Sequence, residues 1–426
     1  MTERAHVAGA GAATTGSGPL VVYANLVSDL AVDPAERDVL RAWAEQAPRE
    51  VWTLREGDVL LSPVPVAEEF LRYACDLTGV PRRSVTVLTE ARTRPEDAAA
   101  VRAAAGARRP VEAVVPTALD GSAVTLARAL GVPVAPYAGI EAAEAALEVT
   151  ALLNTKAGFR RAAQDLGMRL PDGRVCRRDG VAAAVAGLLR THGRVVVKPD
   201  RSAGGHGLLF LPPPAGTWTA ADLAAVGGER GLWVVEERID VARSVSIQME
   251  TGPHGARPVF SGEMRTAAGS FTGYVSPLPA SVPAAVRPAL EAWGRALGDR
   301  LARHGYAGPF SLDAMVSADG ELFAGESNVR RTATTTPHVM VTRLARLAGT
   351  GAPAWATGTV RASRPYGFTE ALDRLRSNRL AYDPEHAGGV VLYAGAPKDG
   401  LRWRYAVIAE GHGRLARYEE ALHAAW

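Results

Sequence analysis

The residues best suited to chemistry lie in residues 308–331, whose sequence is GPFSLDAMVSADGELFAGESNVRR. Apolar and polar side chains alternate along its first half, as they do on a strand with one buried face. The Asp319-Gly320 dipeptide is preferred in two-residue type I′ turns between antiparallel strands. The stretch therefore predicts a β-hairpin that carries two carboxylates and an amide on its polar face.

The predicted turn decides which residues of this hairpin face each other. If Ala318 pairs with Glu321, then Asp313 lies directly opposite Glu326, and Asn328 shares their face. Cross-strand Cβ atoms in such a pair are about 4.5–5.5 Å apart. Two carboxylates at this distance repel each other unless a cation lies between them, and Mg²⁺ binds one or two carboxylates together with phosphate oxygens. We therefore expect a magnesium site here; the alternative is a solvated polar strand face.

A second candidate site is a glycine-rich loop that follows a lysine. Only three of the 48 basic residues are lysine, namely Lys156, Lys198 and Lys398. Lys198 lies in the β-like segment RVVVKPD, and the loop RSAGGHG connects it to the second β-like segment GLLFL. Glycines in such a loop let backbone N–H groups turn toward phosphate oxygens. The loop is not a P-loop, which needs its lysine after the glycines at the start of a helix, and a plain hairpin connection stays open as the alternative.

The elements that must position these residues fall into separate units. Residues 1–18 are small and unpatterned and are expected to form a mobile tail. Residues 19–149 alternate short β-like runs with helical stretches, which predicts a βα domain with a mostly parallel sheet. Residues 150–355 form a second unit, and residues 356–426, with two β-like runs between two helices, form a small C-terminal α/β unit.

The second unit is expected to contain a small antiparallel lid, over about residues 160–250. The lid is predicted from two pairs of β-like segments, RVVVKPD with GLLFL and WVVEERID with SVSIQM. Further along, residues 282–305 carry apolar side chains at three- and four-residue steps and predict an amphipathic helix. Residues 266–281, TAAGSFTGYVSPLPAS, have the small, turn-rich composition of either a mobile flap or an ordinary surface loop.

Taken in chain order, these elements resemble the ATP-grasp superfamily. The matching features are a helix lysine, Lys156, a strand lysine, Lys198, the glycine loop, the adjoining segment VVEE, and Asp313 followed by E-S-N-V-R. The match covers residues 150–331. It implies an α/β (α+β) ATP-grasp fold in which residues 19–149 are the preceding, pre-ATP-grasp domain.

The resemblance also implies a role for each matching residue. The lysines and the glycine loop would bind the phosphates of ATP, the backbone of Glu236–Arg238 would hold adenine, and Ser244 or Ser246 would approach the ribose, where many relatives carry a longer acidic or histidine side chain. Arg330 would stabilise the transferred phosphoryl group. Two further candidates come from position and not from the resemblance: Arg265, just before residues 266–281, would bind the substrate carboxylate or form a surface salt bridge, and His206 would touch phosphate or face solvent. The full candidate sets are Lys156, Lys198, Ser202, Gly204, Gly205, His206, Gly207, Glu236, Glu237, Arg238 and Ser244 for ATP; Asp313, Glu326 and Asn328 for Mg²⁺; and Arg330, Lys198 and Arg265 for catalysis.

The implied activity is ATP-dependent carboxylate–amine ligation through an acyl phosphate, with ADP as a product. In overall layout the chain most resembles the pheganomycin-type actinobacterial peptide ligases, which join an unusual amino acid to the N-terminus of a peptide in natural-product biosynthesis. Its partners would be a small-molecule carboxylate donor and a peptide or amino-acid acceptor. The alternatives are an ATP-grasp carboxylate kinase or carboxylase, and a nucleotide-binding regulatory protein without turnover.

The composition argues against several other classes of protein. The 48 basic and 45 acidic residues nearly balance and are dispersed along the 426-residue chain, which argues against nucleic-acid binding. The two cysteines do not suggest a disulfide framework, and no apolar run approaches the length of a bilayer span. We therefore expect a cytoplasmic protein with no membrane contact; a homodimer is compatible with the sequence.

Overall fold

The computed structural model describes residues 18–426, except for residues 27, 29, 31–36, 90–94, 106–109, 203, 206, 212–230 and 268. The predicted mobile tail therefore lies outside the described residues, apart from Gly18.

The N-terminal domain is a parallel sheet with helices between its strands. The strand order is β3-β2-β1-β4, and every pairing is parallel, as the alternation of β-like and helical segments predicts. Because the chain leaves β1 toward one side and later adds β4 on the other, the carboxyl ends of β1 and β4 form a topological switch point. The strands are β1 Leu20–Tyr23, β2 Val59–Ser62, β3 Thr86–Thr89 and β4 Ala113–Pro116, and the helices are α1 Arg37–Ala44, α2 Glu68–Thr78, α3 Pro95–Ala104 and α4 Gly121–Leu130, with 3-10 helices at Ala47–Thr53 and Arg82–Ser84.

Three helices lead from this domain to the lid: α5 Ile140–Ala145, α6 Leu147–Leu153 and α7 Lys156–Asp165. The start of α7 is set by Thr155, whose hydroxyl accepts the backbone N–H of Gly158 at 3.0 Å. A side chain at Gly158 would lie 2.1 Å from the carbonyl oxygen of Leu152, so the close turn between α6 and α7 requires glycine. The cap places Lys156 in the first turn of α7.

The lid is a four-stranded antiparallel sheet with its own core. Its order is β5-β8-β6-β7, and the helix α8 Arg178–His192 covers it. Its core includes Val185, Val195 and Val235, which are fully buried. The strands are β5 Gly173–Arg177, β6 Val195–Pro199, β7 Leu209–Leu211 and β8 Leu232–Glu237.

One predicted pairing of the lid is wrong. The segment WVVEERID, which contains β8, does not pair with SVSIQM; β8 lies between β5 and β6. SVSIQM belongs instead to β9, Val241–Gly252, which is a central strand of the larger sheet. Both segments are β-structure with apolar faces, so their composition alone does not decide which sheet each one joins.

The third and largest of the described sheets has eight antiparallel strands in the order β13-β12-β9-β10-β11-β14-β16-β15. Its last three strands include the two C-terminal β runs, so the C-terminal unit extends this sheet. Part of residues 266–281 is neither flap nor loop, because Ser270–Ser276 form β11, which is paired on both sides. The further strands are β10 Gly255–Ala267, β11 Ser270–Ser276, β12 Gly308–Ser317, β13 Leu322–Asn328, β14 Ala354–Arg361, β15 Gly389–Val391 and β16 Arg402–Ala409, and the helices are α9 Val286–Arg303, α10 Thr335–Leu347, α11 Phe368–Ser377 and α12 His412–Ala425.

Two large cores hold the units together. In one, α9 lies against the large sheet and buries Leu290, Leu297 and Leu301 completely, which confirms the predicted amphipathic helix. In the other, the N-terminal domain packs on the C-terminal strands, where the indole nitrogen of Trp52 donates to the carbonyl of Tyr393 at 2.9 Å. Among the helices that the structure describes, none is both long and apolar enough to cross a bilayer.

Candidate active site

The hairpin β12–β13 brings the predicted carboxylate pair together. Asp313 faces Glu326, and Ser311 faces Asn328, as the sequence predicts. The predicted two-residue turn is wrong, however, because the backbone N–H of Ser317 donates to the carbonyl of Glu321 at 2.9 Å around a three-residue loop.

A bulge restores the predicted register. Ala314 pairs with Ala324, so the pairing near the turn is one residue out of the predicted register, and the shift is reversed between Ala314 and Asp313, where Gly325 is the extra residue. A bulge of this kind lets two residues of one strand oppose one residue of its partner. The carboxylates therefore face each other because two deviations from a simple hairpin cancel.

Asp313 is an unusually basic carboxylate. Its Oδ1 accepts the Ser246 hydroxyl at 2.7 Å, and its Oδ2 accepts the side-chain amide of Asn328 at 3.1 Å. Burial and the neighbouring Glu326 together raise the pKa of Asp313 to about 7. Unless a metal ion is bound, this carboxyl group is therefore close to half protonated at neutral pH.

Glu326 has the opposite electrostatic environment. Its carboxylate lies 3.2 Å from Nζ of Lys156. Burial acts against ionisation of Glu326, but Lys156, Arg330 and Lys198 outweigh it and lower the pKa of Glu326 below its ordinary value. The pair thus combines one permanent negative charge with one that a cation would stabilise.

This donor set fits a magnesium ion. Asn328 donates from its amide nitrogen to Ser311 and Asp313, which leaves the amide oxygen as a further ligand atom. The residues that the structure describes contain no cluster of three or more His, Cys, Asp or Glu side chains that would hold a metal by themselves. Two carboxylates and one amide oxygen suit Mg²⁺, which commonly completes its shell with phosphate oxygens and water.

The two predicted lysines lie on either side of the lid boundary and are largely buried. Lys156, at the start of α7, donates to the carbonyl of Ser202 at 2.6 Å and pairs with Glu326, so it connects the lid loop to the hairpin. Lys198, on β6, pairs with the buried carboxylate of Glu236, which also accepts Arg160 at 2.7 Å. An anionic ligand that approached Lys198 would compete with Glu236 for it.

The glycine loop lies close to the turn between β10 and β11. Gly204, Gly205 and Gly207 all have positive φ, at 63°, 82° and 74°, which favours glycine at each position. A side chain at Gly205 would also lie 2.1 Å from the carbonyl oxygen of Gly269, whereas Gly204 has open space. The lid is therefore seated against the large sheet at this point; His206, which was also predicted to bind ATP, lies outside the described residues.

The predicted adenine segment is already hydrogen bonded. The backbone N–H groups of Glu237 and Arg238 donate to the carbonyls of Asp172, at 2.8 Å, and Arg194, at 3.0 Å. The guanidinium of Arg238 lies 4.8 Å from the centre of the Phe210 ring. A role for this segment in holding adenine stays a prediction.

The two serines considered for the ribose differ in accessibility. Ser246 is buried and donates to Asp313, so it acts on the carboxylate pair. Ser244, two residues earlier on β9, is partly exposed. Both serines line the large cavity of the site, but Ser244 is the more exposed of the two.

Arg330 is fixed by a residue that sequence reasoning missed. Its guanidinium donates to Oδ1 of Asn154 at 2.7 Å, and the same oxygen accepts the backbone N–H of Val329 at 3.1 Å. Burial lowers the pKa of Arg330, while Glu326 and Asp313 act against this decrease. Asn154 follows α6 without any motif around it, so only the folded chain reveals its role.

Arg265 lies elsewhere. It forms a two-pronged ion pair with Glu419 of α12, at 2.6 and 2.8 Å, and Tyr405 donates to the same carboxylate. The salt bridge that the sequence allowed as the alternative to substrate binding is therefore present. Arg265 does not line the cavity.

A cavity of about 780 Å³ joins most of the predicted site. This volume is in the range of small-molecule binding sites. Five predicted residues, Gly207, Glu236, Glu237, Arg238 and Arg265, are not among its lining residues. The predicted residues that line it are Lys156, Lys198, Ser202, Gly204, Gly205, Ser244, Asp313, Glu326, Asn328 and Arg330, and the lining residues that sequence reasoning missed include Asn25, Arg49, Thr117, Arg331 and Arg404.

The hairpin is also attached to both chain segments that connect the lid. The backbone N–H of Ala318, at its tip, donates to the carbonyl of Asp240, which precedes β9. The backbone N–H of Ala324 donates to the carbonyl of Arg169, which precedes β5, and the guanidinium of Arg169 lies 4.7 Å from the centre of the Phe323 ring. The entry to the lid and its exit are thus held by one hairpin.

Comparisons with known proteins address the fold. Residues 47–132 match the family model of the pre-ATP-grasp domain, and residues 370–422 match the model of the PGM1 C-terminal domain. No curated protein sequence matches the chain significantly.

Solved structures resemble the whole chain. N5-carboxyaminoimidazole ribonucleotide synthetase in complex with ADP is 11% identical, with a TM-score of 0.59 over 95% of this chain and 96% of that one. The Thermus thermophilus enzyme is 17% identical, with a TM-score of 0.57 over 95% and 98%. The Aspergillus clavatus enzyme, with ADP and 5-aminoimidazole ribonucleotide, is 13% identical, with a TM-score of 0.56 over 96% and 99%. Together with the parallel N-terminal sheet, the antiparallel lid and the large sheet, these similarities show that the chain has the ATP-grasp fold.

Proposed function

We propose that this protein is an ATP-dependent carboxylate–amine ligase that forms an amide bond through an acyl phosphate and releases ADP. The observation that carries the proposal is the cavity wall on which Lys156, Glu326, Asp313 and Arg330 converge. Lysines for phosphate, paired carboxylates for a cation and an arginine for the transferred group are the parts that phosphoryl transfer requires.

The first step makes the carboxylate reactive. An oxygen of the donor carboxylate attacks the γ-phosphorus of ATP, the bond to the bridging oxygen breaks, and ADP leaves with that electron pair. Arg330, fixed by Asn154, would stabilise the negative charge on the transferred phosphoryl group. A magnesium ion held by Asp313, Glu326 and Asn328 would supply neutralising positive charge.

The second step forms the amide. The amine nitrogen of the acceptor attacks the acyl carbon, the bond from that carbon to the phosphate oxygen breaks, and inorganic phosphate leaves with the electron pair, while the amine loses a proton. Water must be kept from the acyl phosphate during this step. The lid loop, seated against the turn at Gly269, closes one side of the cavity and would serve this purpose.

We further infer that the acceptor is the N-terminal amine of a peptide and the donor an unusual amino acid, in natural-product biosynthesis. Support comes from the layout that resembles pheganomycin-type peptide ligases. ATP and magnesium ions would be the cofactors. A carboxylase or carboxylate kinase would use the same first step, and only the acceptor would differ.

The test offers the purified protein Mg·ATP with pooled amino acids and short peptides, and measures ADP, phosphate and product masses. The proposal predicts ADP together with a mass equal to donor plus acceptor minus water. AMP and pyrophosphate would refute the acyl-phosphate mechanism. Turnover that depends on bicarbonate alone would indicate the carboxylase, and nucleotide binding without turnover would indicate the regulatory protein.

A further inference from the structure

We propose that Arg49, Arg331 and Arg404 form a subsite in the cavity for an anionic group of the substrate, a carboxylate or a phosphate, separate from the carboxylate that reacts. The proposal rests on the proposed function only in naming the ligand a substrate. All three side chains line the cavity, although they come from distant parts of the chain.

The first argument is that the arginine cluster has too little negative charge around it. Arg49 and Arg331 are only 4% and 5% exposed, and the buried Glu50 is the carboxylate within ion-pair distance of both. Among the described residues, no carboxylate forms a salt bridge with Arg404. Buried charges are costly unless they are paired, so Arg49 and Arg331, which share one carboxylate and feel the exposed Arg404 nearby, would be stabilised by an anion.

The second argument is that the buried arginines have hydrogen-bonding capacity left over. Nε of Arg49 and Nε of Arg331 are buried and have no hydrogen-bond partner among the described residues. Burial lowers the pKa of Arg49, Glu50 opposes that decrease, and Arg404 and Arg331 add to it by repulsion. The cluster therefore combines mutual repulsion with incomplete hydrogen bonding, as is expected of a binding site without its ligand.

The third argument is the position of the cluster in the fold. The switch point between β1 and β4 opens into the same cavity, through Asn25 and Thr117. The backbone N–H of Arg331 donates to the carbonyl of Thr117 at 2.9 Å, which places Arg331 at this edge of the sheet. Ligands of open parallel sheets bind outside the carboxyl ends of the strands at such a point.

The adjacent residues Arg330 and Arg331 let one ligand reach both the reaction site and the arginine cluster. Arg330 points to Asn154 and the carboxylate pair, whereas Arg331, the next residue, points to Glu50. Consecutive Cα atoms are about 3.8 Å apart, so the two guanidinium groups diverge from nearly the same place. One substrate of modest size can therefore present its reacting carboxylate near Arg330 and its second anionic group near Arg331.

The test measures binding by isothermal titration calorimetry without nucleotide or metal. The probes are inorganic phosphate, the blocked dipeptide N-acetyl-alanyl-alanine, and the amide of that dipeptide. Arg404→Gln removes the exposed member of the cluster and is expected to fold. Arg402→Gln, which changes an exposed arginine on the same strand outside the cavity, is the matched control, and Lys198→Met reports anions that bind near the lid loop.

We expect an anionic probe to bind the wild-type protein, and Arg404→Gln to weaken its binding about tenfold or more, as is typical when a charged hydrogen bond is lost. Arg402→Gln should bind as the wild type does, and any part of the phosphate binding that Lys198→Met removes is assigned to the lid loop and not to the arginine cluster. Binding of the dipeptide acid but not its amide identifies a carboxylate, and binding of phosphate alone identifies a phosphate group.

Three results would overturn the proposal: equal binding of acid and amide without phosphate binding, no binding of any anionic probe, or binding that Lys198→Met abolishes and Arg404→Gln does not. Because no ATP is present, each result is independent of the ligase assay. ADP release can therefore fail while the subsite is confirmed, and the reverse can also occur.

Discussion

The hairpin β12–β13 and the lid sheet contribute to the same cavity but are held in different ways. The hairpin lies on a large sheet, where β12 pairs with β9 along its length, and an extensive core supports it from behind. The lid has a small core of its own, built from three of its strands and α8. The carboxylate pair, which requires accurate placement, is on the larger body, and the glycine loop is on a sheet whose separate small core would let it move as a unit.

The largest effect on turnover is expected from substitutions in the hairpin β12–β13. Glu326→Gln or Arg330→Ala should reduce ADP release by about 10²-fold or more, because Glu326 would hold the magnesium ion and Arg330 would stabilise the transferred phosphoryl group. Steady-state ADP formation measures the effect, and circular dichroism checks the fold. Arg402→Gln is the control on the same sheet. Near-normal turnover in either variant would remove the hairpin from the proposed site.

The next largest effect is expected from a substitution in the glycine loop of the lid. Gly205→Ala should raise the KM for ATP about tenfold, because the added carbon would lie 2.1 Å from the Gly269 carbonyl and keep the lid loop from seating. Gly204→Ala is a matched control, since it has a similar positive φ, 63° against 82°, but open space around it. The backbone cost of about 1 kcal/mol is common to both. Equal KM values for the two variants would argue against seating of the loop.

A third prediction concerns how the carboxylate pair makes the stability of the ligand-free protein depend on pH. Because the pKa of Asp313 is raised to about 7, above its value of 3.8 in the unfolded chain, the protonated form favours folding, and this contribution is lost as pH rises from about 4 to 7. Asp313→Asn should therefore stabilise the ligand-free protein, with a gain that increases across this window and then levels off. Each pKa unit corresponds to about 1.4 kcal/mol.

Urea unfolding at pH 5, 6, 7 and 8 measures this gain. Burial lowers the pKa of His338 to about 4, so this residue also makes stability depend on pH. Because His338 is present in both proteins, its contribution cancels in the difference between wild type and variant. His338 by itself should destabilise the fold as pH falls below about 6.5. A gain that does not change with pH would show that the pKa of Asp313 is ordinary.

The smallest effect is expected at Arg265, which belongs to neither side of the comparison. Arg265→Ala breaks the ion pair with Glu419 and should reduce the free energy of unfolding by about 1 kcal/mol, since the pair is partly exposed. ADP release should change less than about twofold. A large loss of turnover with an unchanged melting temperature would return Arg265 to the role of substrate carboxylate ligand.

The residues that were predictable from sequence are those whose function depends on local pattern. Strand alternation located the hairpin, and adjacency to glycines marked Lys198. Pairing between β8 and β6, and the partner of Arg265, depend on contacts between residues far apart in the chain; Arg265 and Glu419 are separated by 154 positions. The arginine cluster has no local signature either, because Arg49 and Arg404 come from opposite ends of the sequence.

The register of the hairpin shows a different limit. The prediction that Asp313 faces Glu326 is confirmed, yet the turn length was wrong and the bulge at Gly325 was unforeseen. A pairing near a short turn is sensitive to single-residue insertions, because each shift moves every side chain to the other face. The bulge at Gly325 compensates for the longer turn and returns Asp313 and Glu326 to opposite positions on the same polar face.

The attachment of the hairpin to Arg169 and Asp240 has a kinematic consequence. The hairpin holds Asp240 through one backbone hydrogen bond, and it holds Arg169 through a backbone hydrogen bond, the Phe323 ring and an ion pair with Glu321. If the lid rotates, the line through these two attachment points would be its axis. Atoms close to an axis are displaced little and atoms far from it are displaced most. Such a rotation would swing the glycine loop through a wide arc while Asp313 and Glu326 stay nearly stationary, so that the proposed nucleotide could be exchanged without rebuilding the proposed cation site.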